Sequence, residues 1–217
     1  MTRDLFAAAD ARDAAAYHLA PGARVLRGFA LPIEAAIATA LDAVVAAAPL
    51  RHMVTPGGFR MSVAMTNCGA HGWVSAASGY RYAEIDPDSG KPWPPMPAVL
   101  DDLARRAAAA AGFSSFAADA CLVNRYEPGA RLTLHQDKDE RDFAQPIVSV
   151  SLGVPAVFLF GGLKRRERPL RLTLVHGDIV VWGGQARLRY HGVAPLAAAE
   201  HPFAGSARIN LTLRRAA

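Results

Sequence analysis

Cysteine is scarce in this chain, which has only Cys68 and Cys121 among its 217 residues. Two cysteines cannot build a disulfide framework, and their spacing is not that of a structural zinc site. Free cysteine behaves as a small apolar side chain, so we expect both to be reduced and buried. The chain is therefore not a small secreted domain held together by disulfides.

Long apolar segments are also missing. The stretch from Leu152 to Leu163 carries no charge, but glycine and proline interrupt it, and it is far shorter than the ~20 residues that span a bilayer. Near the N-terminus, Asp4 and Asp10 stand where a signal or transit peptide has basic residues and a clean apolar run. We therefore expect a cytoplasmic protein with no membrane partner.

Charge of neither sign dominates. Charged residues make up 20% of the chain, and 24 basic against 19 acidic residues give a net charge of +5. This balance favours anionic partners without identifying one, and the 52% of hydrophobic residues excludes a disordered chain. The length suits one compact domain with an elaboration.

The N-terminal half contains two amphipathic patterns. Apolar residues recur at helical spacing from Ile33 to Val45, between Pro32 and Pro49, and again from Val99 to Leu103, before a terminating Gly112. Two helices are predicted, over about 33–48 and 97–112. Between them, residues 55–95 are rich in glycine, proline and aromatic residues, a composition typical of loops and short strands that carry recognition.

The chain becomes rich in β-forming residues from about Asp119. Eight short runs follow within some hundred residues, separated by Gly, Pro, Asp or Asn: ACLVNRYEPGA, RLTLHQD, PIVSVSLG, AVFLFGG, LRLTLVHGD, IVVWGG, RYHGV and ARINLTLR. Eight strands fit a jelly roll. The fold class is therefore predicted to be mainly β with flanking helices, around a double-stranded β-helix (jelly-roll) core.

A candidate metal site follows the run RLTL. His135 and Asp137 point to the same side of an extended backbone because side chains alternate along a strand. His191, on another predicted strand, is a candidate third ligand, and two histidines with one carboxylate are the ligands of non-haem Fe(II) oxygenases. His176 is an alternative third ligand, although a turn before IVVWGG suits it better.

Two arginines lie six residues apart in the last predicted strand. An even spacing places Arg208 and Arg214 on one face. If that face is buried, the two charges need anionic company, and a bound dicarboxylate near the metal would provide it. A solvated edge strand with basic ends is the alternative.

Together with longer motifs, these residues resemble the AlkB family of Fe(II)/2-oxoglutarate-dependent nucleic-acid dealkylases. The resemblance covers nearly the whole chain from about Leu5, through MVTPGGF, MSVAMTNCG, IDPDSGKPWP, LHQDKDE, FGGLKR, HGDIVVWGG and INLTLR. It implies an N-terminal extension and helix (1–50), a nucleotide-recognition lid and helix (51–118) and a jelly-roll catalytic core (119–217) within one compact domain.

The resemblance also implies a set of ligands. His135, Asp137 and His191 would hold Fe(II), and 2-oxoglutarate would chelate the iron. Arg208 and Arg214 would meet its carboxylates, with Asn124, Tyr126 and Asn210 supplying hydrogen bonds. In this family O2 and 2-oxoglutarate are consumed, succinate and CO2 form, and the N-alkyl carbon is hydroxylated. The hemiaminal then releases formaldehyde and the repaired base.

The implied partner is a nucleic acid that carries alkylated bases such as 1-methyladenine or 3-methylcytosine. Single-stranded DNA is the main candidate, and duplex DNA and RNA are the alternatives. No obligatory protein partner is evident. Basic residues between positions 164 and 189, including Arg187, form a candidate phosphate-contacting surface, with a solvated basic face as the alternative. By analogy, base recognition falls on Trp73, Tyr80, Arg81, Tyr82, Asp139 and Arg165.

Two other functions remain open from the sequence. The first is an Fe(II)/2-oxoglutarate hydroxylase that acts on a protein or a small molecule. The second is a cupin-like binding module without catalysis. The complete set of candidate ligands argues against this second function.

Overall fold

The computed structural model describes residues 16–217. The first part of the predicted N-terminal extension, residues 1–15, lies outside this range. The two α-helices are α1 (Glu34–Ala47) and α2 (Ala98–Ala110). The strands are β1 (Ala16–Ala20), β2 (Ala23–Leu26), β3 (Ala64–Gly69), β4 (Gly72–Ala76), β5 (Gly79–Ala83), β6 (Ala120–Tyr126), β7 (Leu132–His135), β8 (Ile147–Gly153), β9 (Ala156–Phe160), β10 (Leu170–Leu174), β11 (Ile179–Trp182), β12 (His191–Val193) and β13 (Arg208–Arg214).

The strands form two facing sheets and a separate hairpin. The larger sheet has the order β1-β2-β11-β8-β13-β6-β3, the smaller sheet the order β10-β9-β12-β7, and β4 pairs only with β5. All the pairs between these strands are antiparallel. Each of the eight predicted runs forms one of the strands β6 to β13, four in each sheet, so the predicted mainly β fold with flanking helices and a jelly-roll core is confirmed.

Alternation along β13 separates an apolar outer face from a polar inner face. On β13, Ile209, Leu211 and Leu213 join the cluster beneath the helices. Arg208 and Arg214 lie on the other face, in the wall of the cavity between the sheets. The even spacing of the two arginines thus places both inside the molecule, as predicted, and the alternative of a solvated edge strand is wrong.

The two helices cover the outer face of the larger sheet. In α1, Ile37, Leu41 and Val44 are buried, and in α2 the buried positions include Leu100 and Leu103. Both predicted helices are confirmed to within a few residues at their ends. Gly112 follows α2 with a φ of +97°, a conformation that favours glycine over any residue with a Cβ atom.

The N-terminal strands were not anticipated from the sequence. β1 and β2 extend the larger sheet through the pair β2–β11. Cys68 and Cys121 face each other on β3 and β6; both are free thiols and fully buried, as predicted. No helix within residues 16–217 has the length and apolar character needed to cross a bilayer.

The hairpin β4–β5 is fastened at its base. The Trp93 indole donates to the carbonyl of Ala83 at 2.9 Å and lies so close to Gly72 that a Cβ atom there would meet its ring at 2.3 Å. Asn67 of β3 accepts from the Trp73 amide and donates to the Trp73 carbonyl, both at 3.0 Å. These contacts hold the hairpin beside the open end of the jelly roll.

Candidate active site

A cavity of about 860 Å³ opens between the two sheets. Most of the residues singled out from the sequence lie in its wall: His135, Asp137, His191, Asn124, Tyr126, Arg208, Asn210, Arg214, Trp73, Tyr80, Asp139 and Arg165. Strands from both sheets, the hairpin and the connection between β9 and β10 contribute to this set. The cavity is therefore the candidate active site.

The candidate metal ligands converge at one end of the cavity. Nitrogen atoms of His135 and His191 and a carboxylate oxygen of Asp137 lie within 4.8 Å of one another. Each His Nε2 is 3.6 Å from an oxygen of Asp137, and the two imidazole centroids are 4.5 Å apart. Among the described residues, these three form the one group of His, Cys, Asp or Glu side chains that lie close enough together to hold a metal ion.

Hydrogen bonds orient both imidazoles for a metal. The Nδ1 of His135 donates to the carbonyl of Thr133 at 2.8 Å, and the Nδ1 of His191 donates to the carbonyl of Arg189 at 3.1 Å. A carbonyl only accepts, so Nδ1 carries the proton in each ring and Nε2 keeps its lone pair. Burial, followed by the proximity of His191, lowers the pKa of His135 to about 4, which keeps this ring neutral at pH 7.

Backbone pairing sets the distance between the two histidines. His135 ends β7 and is the register partner of His191, which begins β12. The next residue, Gly192, has no Cβ atom, and one placed there would meet the carbonyl oxygen of Leu132 at 2.6 Å. Glycine therefore permits the close approach of β12 to β7 that brings the two imidazoles together.

Arg208 has the features of a binding site for a carboxylate. It is 1% exposed, and among the described residues its Nε and Nη1 have no hydrogen-bond partner, while Nη2 donates to Ser151 Oγ at 2.9 Å. A buried cation with open donor positions matches an anionic ligand such as 2-oxoglutarate. Asn124 Oδ1 is also buried without a partner in this part of the chain, but an amide oxygen accepts hydrogen bonds and does not pair with a carboxylate.

Arg214 has a different environment from Arg208. Its Nη2 and Nε donate to Asp137 Oδ2 at 2.6 and 3.0 Å, and its Nε lies 3.4 Å from Glu140. Burial would raise the pKa of Asp137, but Arg214 and the two imidazoles outweigh it and hold that pKa well below its usual range. The metal ligand is therefore a carboxylate, and Arg214 is already paired without any bound dicarboxylate.

The hairpin places aromatic faces at the mouth of the cavity. The rings of Trp73 and Tyr80 stack with centroids 5.2 Å apart and an angle of 18° between their planes. The Trp73 indole donates to Asp139 Oδ2 at 2.9 Å, and Asp139 is exposed two residues beyond the metal ligand Asp137. Arg165 reaches the same cavity from the exposed connection between β9 and β10.

Arg81 and Tyr82 lie away from this cavity. Both line a second, more open groove of about 750 Å³ at the hairpin and the C-terminal residues. The Tyr82 hydroxyl donates to Glu140 Oε1 at 2.7 Å, and Arg214 Nη1 lies 3.4 Å from the same hydroxyl. Tyr80 and Asp139 line both the cavity and this groove, so Arg81 and Tyr82 lie beside the candidate active site but outside its wall.

One alternative and one expectation from the sequence are wrong. His176 is not a third ligand but lies in the turn before β11, the role preferred from the sequence. Its Nδ1 accepts from the Gly153 amide at 3.0 Å, and its Nε2 meets Glu34 of α1 at 2.7 Å. Arg187 does not belong to a basic surface, because it is 3% exposed and pairs with Glu140 at 2.9 Å. The exposed basic residues of the predicted surface are Lys164, Arg165, Arg166, Arg168 and Arg171, which we name the basic patch.

Several polar residues in and around the site were not anticipated from the sequence. Gln136 joins the two ligand segments by donating to the carbonyl of Leu188 at 2.5 Å. Ser149 Oγ accepts from Asn210 at 2.8 Å, as Ser151 Oγ does from Arg208. The two serines alternate with valines in PIVSVSLG, a signal that one face of β8 is polar although the strand is buried.

Comparisons with known proteins agree with this geometry. Residues 22–214 match the model of the 2OG-Fe(II) oxygenase superfamily. The alpha-ketoglutarate-dependent dioxygenase AlkB of Salmonella typhimurium is 58% identical over 199 residues, which are 92% of each chain. The human nucleic acid dioxygenase ALKBH1 is 36% identical over 121 residues, 56% of this chain and 31% of the relative. A solved structure of OsALKBH1 superposes with a TM-score of 0.79 and 27% identity, over 92% of this chain and 99% of the other.

Proposed function

The chain belongs to the 2OG-Fe(II) oxygenase superfamily and, within it, to the AlkB family of α-ketoglutarate-dependent dioxygenases, and from this premise we propose that it removes alkyl groups oxidatively from nitrogen atoms of nucleic-acid bases. The observation that supports this substrate class is the stacked Trp73–Tyr80 pair at the mouth of the cavity that contains the metal triad. A relative whose name states that it is a nucleic acid dioxygenase adds support.

The donor set fits the cofactors of the superfamily, Fe(II) and 2-oxoglutarate. His135, Asp137 and His191 would hold Fe(II), since two imidazoles and one carboxylate are the ligands that non-haem Fe(II) oxygenases use. Arg208 offers two buried guanidinium nitrogens that have no partner among the described residues and that suit a carboxylate of 2-oxoglutarate. When bound, these groups activate O2 and supply the oxidising power for hydroxylation of an alkyl carbon.

Access to the metal favours single strands as substrates. A base inside a duplex cannot reach a metal enclosed between two sheets, so it must be presented on a single strand or flipped out of the stack. Trp73 and Tyr80 offer aromatic surface for stacking. The bases 1-methyladenine and 3-methylcytosine are cationic and also gain from contact with an aromatic ring.

We propose that Asp139 recognises the charge of such a base. One of its oxygens accepts from the Trp73 indole, which fixes the carboxylate beside the aromatic pair. Its other oxygen has no partner among the described residues and would accept from the exocyclic amino group of 1-methyladenine or 3-methylcytosine. The negative charge of the carboxylate offsets the positive charge of the alkylated ring, so Asp139 favours cationic over neutral lesions.

The overall reaction follows from these assignments. One oxygen atom of O2 enters succinate as 2-oxoglutarate loses CO2, and the other becomes the hydroxyl group on the N-alkyl carbon. The resulting hemiaminal collapses into formaldehyde and the unmodified base. Residues of the chain bind and orient the base.

The basic patch supports a nucleic-acid backbone as the rest of the substrate. Its five cationic side chains are exposed in and beside the connection between β9 and β10, and Arg165 also lines the cavity. Phosphate contacts from such residues give affinity without sequence preference. We propose single-stranded DNA as the main partner, with RNA as a second substrate, no obligatory protein partner and a cytoplasmic location.

Turnover of a defined oligonucleotide tests this function. A single-stranded DNA oligonucleotide with one 3-methylcytosine should lose about 14 mass units when incubated with Fe(II), 2-oxoglutarate and O2, an expectation that follows from loss of a CH2 unit on demethylation. The matched control is the His191→Ala variant. Succinate formation without any change in the oligonucleotide would instead favour a protein or small-molecule hydroxylase.

A further inference from the structure

We propose that Arg187 and Glu140 are positioning residues that join the hairpin β4–β5 to the metal ligand Asp137. Neither residue lies in the wall of the cavity, so neither would touch the substrate. Geometry alone supports the link to the metal site, whereas the link to the hairpin also rests on the proposed function.

Arg187 organises the segment that carries the metal ligand. Asp137 lies beyond the end of β7, in an irregular segment that runs to the start of β8. The three kinds of guanidinium nitrogen of Arg187 all donate into this segment: Nη1 to the carbonyl of Asp137 at 2.7 Å, Nη2 to Glu140 at 2.9 Å and Nε to the carbonyl of Gln145 at 3.0 Å. Asp137 lies outside the described strands, so the hydrogen bonds from Arg187 hold its segment in place where strand pairing does not.

Arg187 also links two ligand segments. It follows the short 3-10 helix Gly184–Ala186 and stands four residues before the ligand His191. Its bond to the carbonyl of Asp137 therefore fixes the segment of one ligand relative to that of another. The Gln136 bond to Leu188 is a second tie between the same segments.

Glu140 continues the connection to the hairpin. Its side chain is 2% exposed; one oxygen accepts from Arg187 and the other from the Tyr82 hydroxyl at 2.7 Å. Tyr82 of β5 is the register partner of Trp73 of β4, whose indole is bonded to Asp139. Two adjacent acidic residues of the ligand segment thus hold two facing residues of the hairpin.

The charges of the network balance without any ligand. Arg187 and Arg214 face Asp137 and Glu140, all four buried, with nitrogen–oxygen distances of 2.6 to 3.4 Å across three ion pairs. Buried charges of this kind are sensitive to the loss of one partner. A change at Arg187 should therefore reach the metal ligand and, through Glu140, the hairpin.

Binding of Mn(II), measured by loss of the free-ion EPR signal, tests the link to the metal site without any turnover. Arg187→Lys keeps the charge but loses the planar fork. We expect it to weaken Mn(II) binding by about tenfold or more, the range for residues that orient metal ligands. The matched control is Arg27→Lys, since Arg27 also forms an ion pair with a buried carboxylate, Asp178, but has no contact with the triad.

The control separates positioning from general loss of stability. Both variants should lower the melting temperature, and only Arg187→Lys should change the Mn(II) dissociation constant. Equal losses of Mn(II) affinity in the two variants, or an Arg187→Lys variant that binds within about twofold of the native chain, would overturn the inference, because residues that orient metal ligands have larger effects. If Arg187→Lys does not fold, the isosteric variant Glu140→Gln is measured instead. It should also lose about tenfold or more in Mn(II) affinity, and binding within about twofold of the native chain would again overturn the inference.

Binding of a labelled single-stranded oligonucleotide tests the link to the hairpin. Tyr82→Phe removes one hydroxyl group and should weaken oligonucleotide binding by about threefold or more while the Mn(II) dissociation constant stays within about twofold. The control Tyr17→Phe loses a hydroxyl that contacts Arg27 and should change neither value. Native oligonucleotide affinity in Tyr82→Phe would overturn this link. A native chain that does not bind the oligonucleotide would refute the proposed function, and the Mn(II) comparison would still decide the link to the metal site.

Discussion

Replacement of Arg208 by methionine should separate the stability of the chain from its affinity for 2-oxoglutarate. The guanidinium is 1% exposed, and two of its nitrogens have no partner. Burial lowers the pKa of this arginine, a sign that its environment disfavours the charge in the absence of a ligand. The native arginine is thus unfavourable to the free chain and favourable to the complex with an anion.

The two effects have opposite signs. Exchange of buried charges for apolar side chains of similar size is neutral or stabilising by about 1–4 kcal/mol. The hydrogen bond to Ser151, which methionine cannot make, has a charged donor and is worth about 1.5–3 kcal/mol. The net change in the free energy of unfolding then lies within about 3 kcal/mol of zero. Each kcal/mol shifts the melting temperature of a chain of this size by about 2–4 °C.

Affinity for 2-oxoglutarate should fall at the same time. A hydrogen bond to a charged group contributes about 1.5–3 kcal/mol, so removal of one such bond weakens binding by roughly 10- to 150-fold. Arg208→Lys keeps the charge without the fork and should lie between the native chain and Arg208→Met.

Thermal melting with Mn(II) across a 2-oxoglutarate titration measures both quantities. The native chain should gain stability with each increase in 2-oxoglutarate. Arg208→Met should start within about 12 °C of the native melting temperature and respond only at much higher concentrations of 2-oxoglutarate. A larger loss of melting temperature without 2-oxoglutarate would refute the reasoning on burial. An unaltered titration would remove Arg208 from the 2-oxoglutarate site.

Three further changes test the rest of the site. His191→Ala should abolish Mn(II) binding and turnover while its circular dichroism spectrum stays native. The control His176→Ala should keep Mn(II) binding and turnover. Retained activity in His191→Ala would end the assignment of His191 as the third ligand. Asp139→Asn keeps an acceptor for the Trp73 indole but loses the charge; because the carboxylate is exposed, we expect a loss of about tenfold, the lower end for a charged hydrogen bond, on 3-methylcytosine and little loss on the neutral 3-methylthymine. Equal losses on the two bases would mean that Asp139 shapes the loop and does not recognise charge. Arg165→Ala with Arg166→Ala should reduce the log–log salt dependence of oligonucleotide binding by about 0.7 for each phosphate that is no longer neutralised, and an unchanged slope would show a solvated face.

The inner face of the jelly roll was predictable because strand alternation is a local rule. The spacing of Arg208 and Arg214 places both in the cavity, and the eight β-rich runs correspond to eight strands. The histidine pair follows from strand pairing, since β12 brings His191 opposite His135, whereas Asp137 lies two residues past the end of β7. Local patterns were sufficient where regular backbone geometry determines where a side chain points.

Pairing between distant segments was not predictable in this way. Arg187 stands among exposed basic residues in the sequence, and only the tertiary structure shows that Glu140 pairs with it inside the molecule. The strands β1 and β2 depend on contact with β11, which no pattern near residue 20 specifies. Arg214 likewise has Asp137 as its partner because β13 and the ligand segment meet in space.

Simultaneous measurement of formaldehyde and succinate tests the central claim most directly. With Fe(II), 2-oxoglutarate, O2 and single-stranded DNA that carries 3-methylcytosine, the account predicts one formaldehyde for each repaired base and a matching amount of succinate above the level formed without DNA. The same oligonucleotide with unmodified cytosine should add neither product. Succinate that does not respond to the methylated base, with no formaldehyde released, would contradict the assignment of this chain as a nucleic-acid dealkylase.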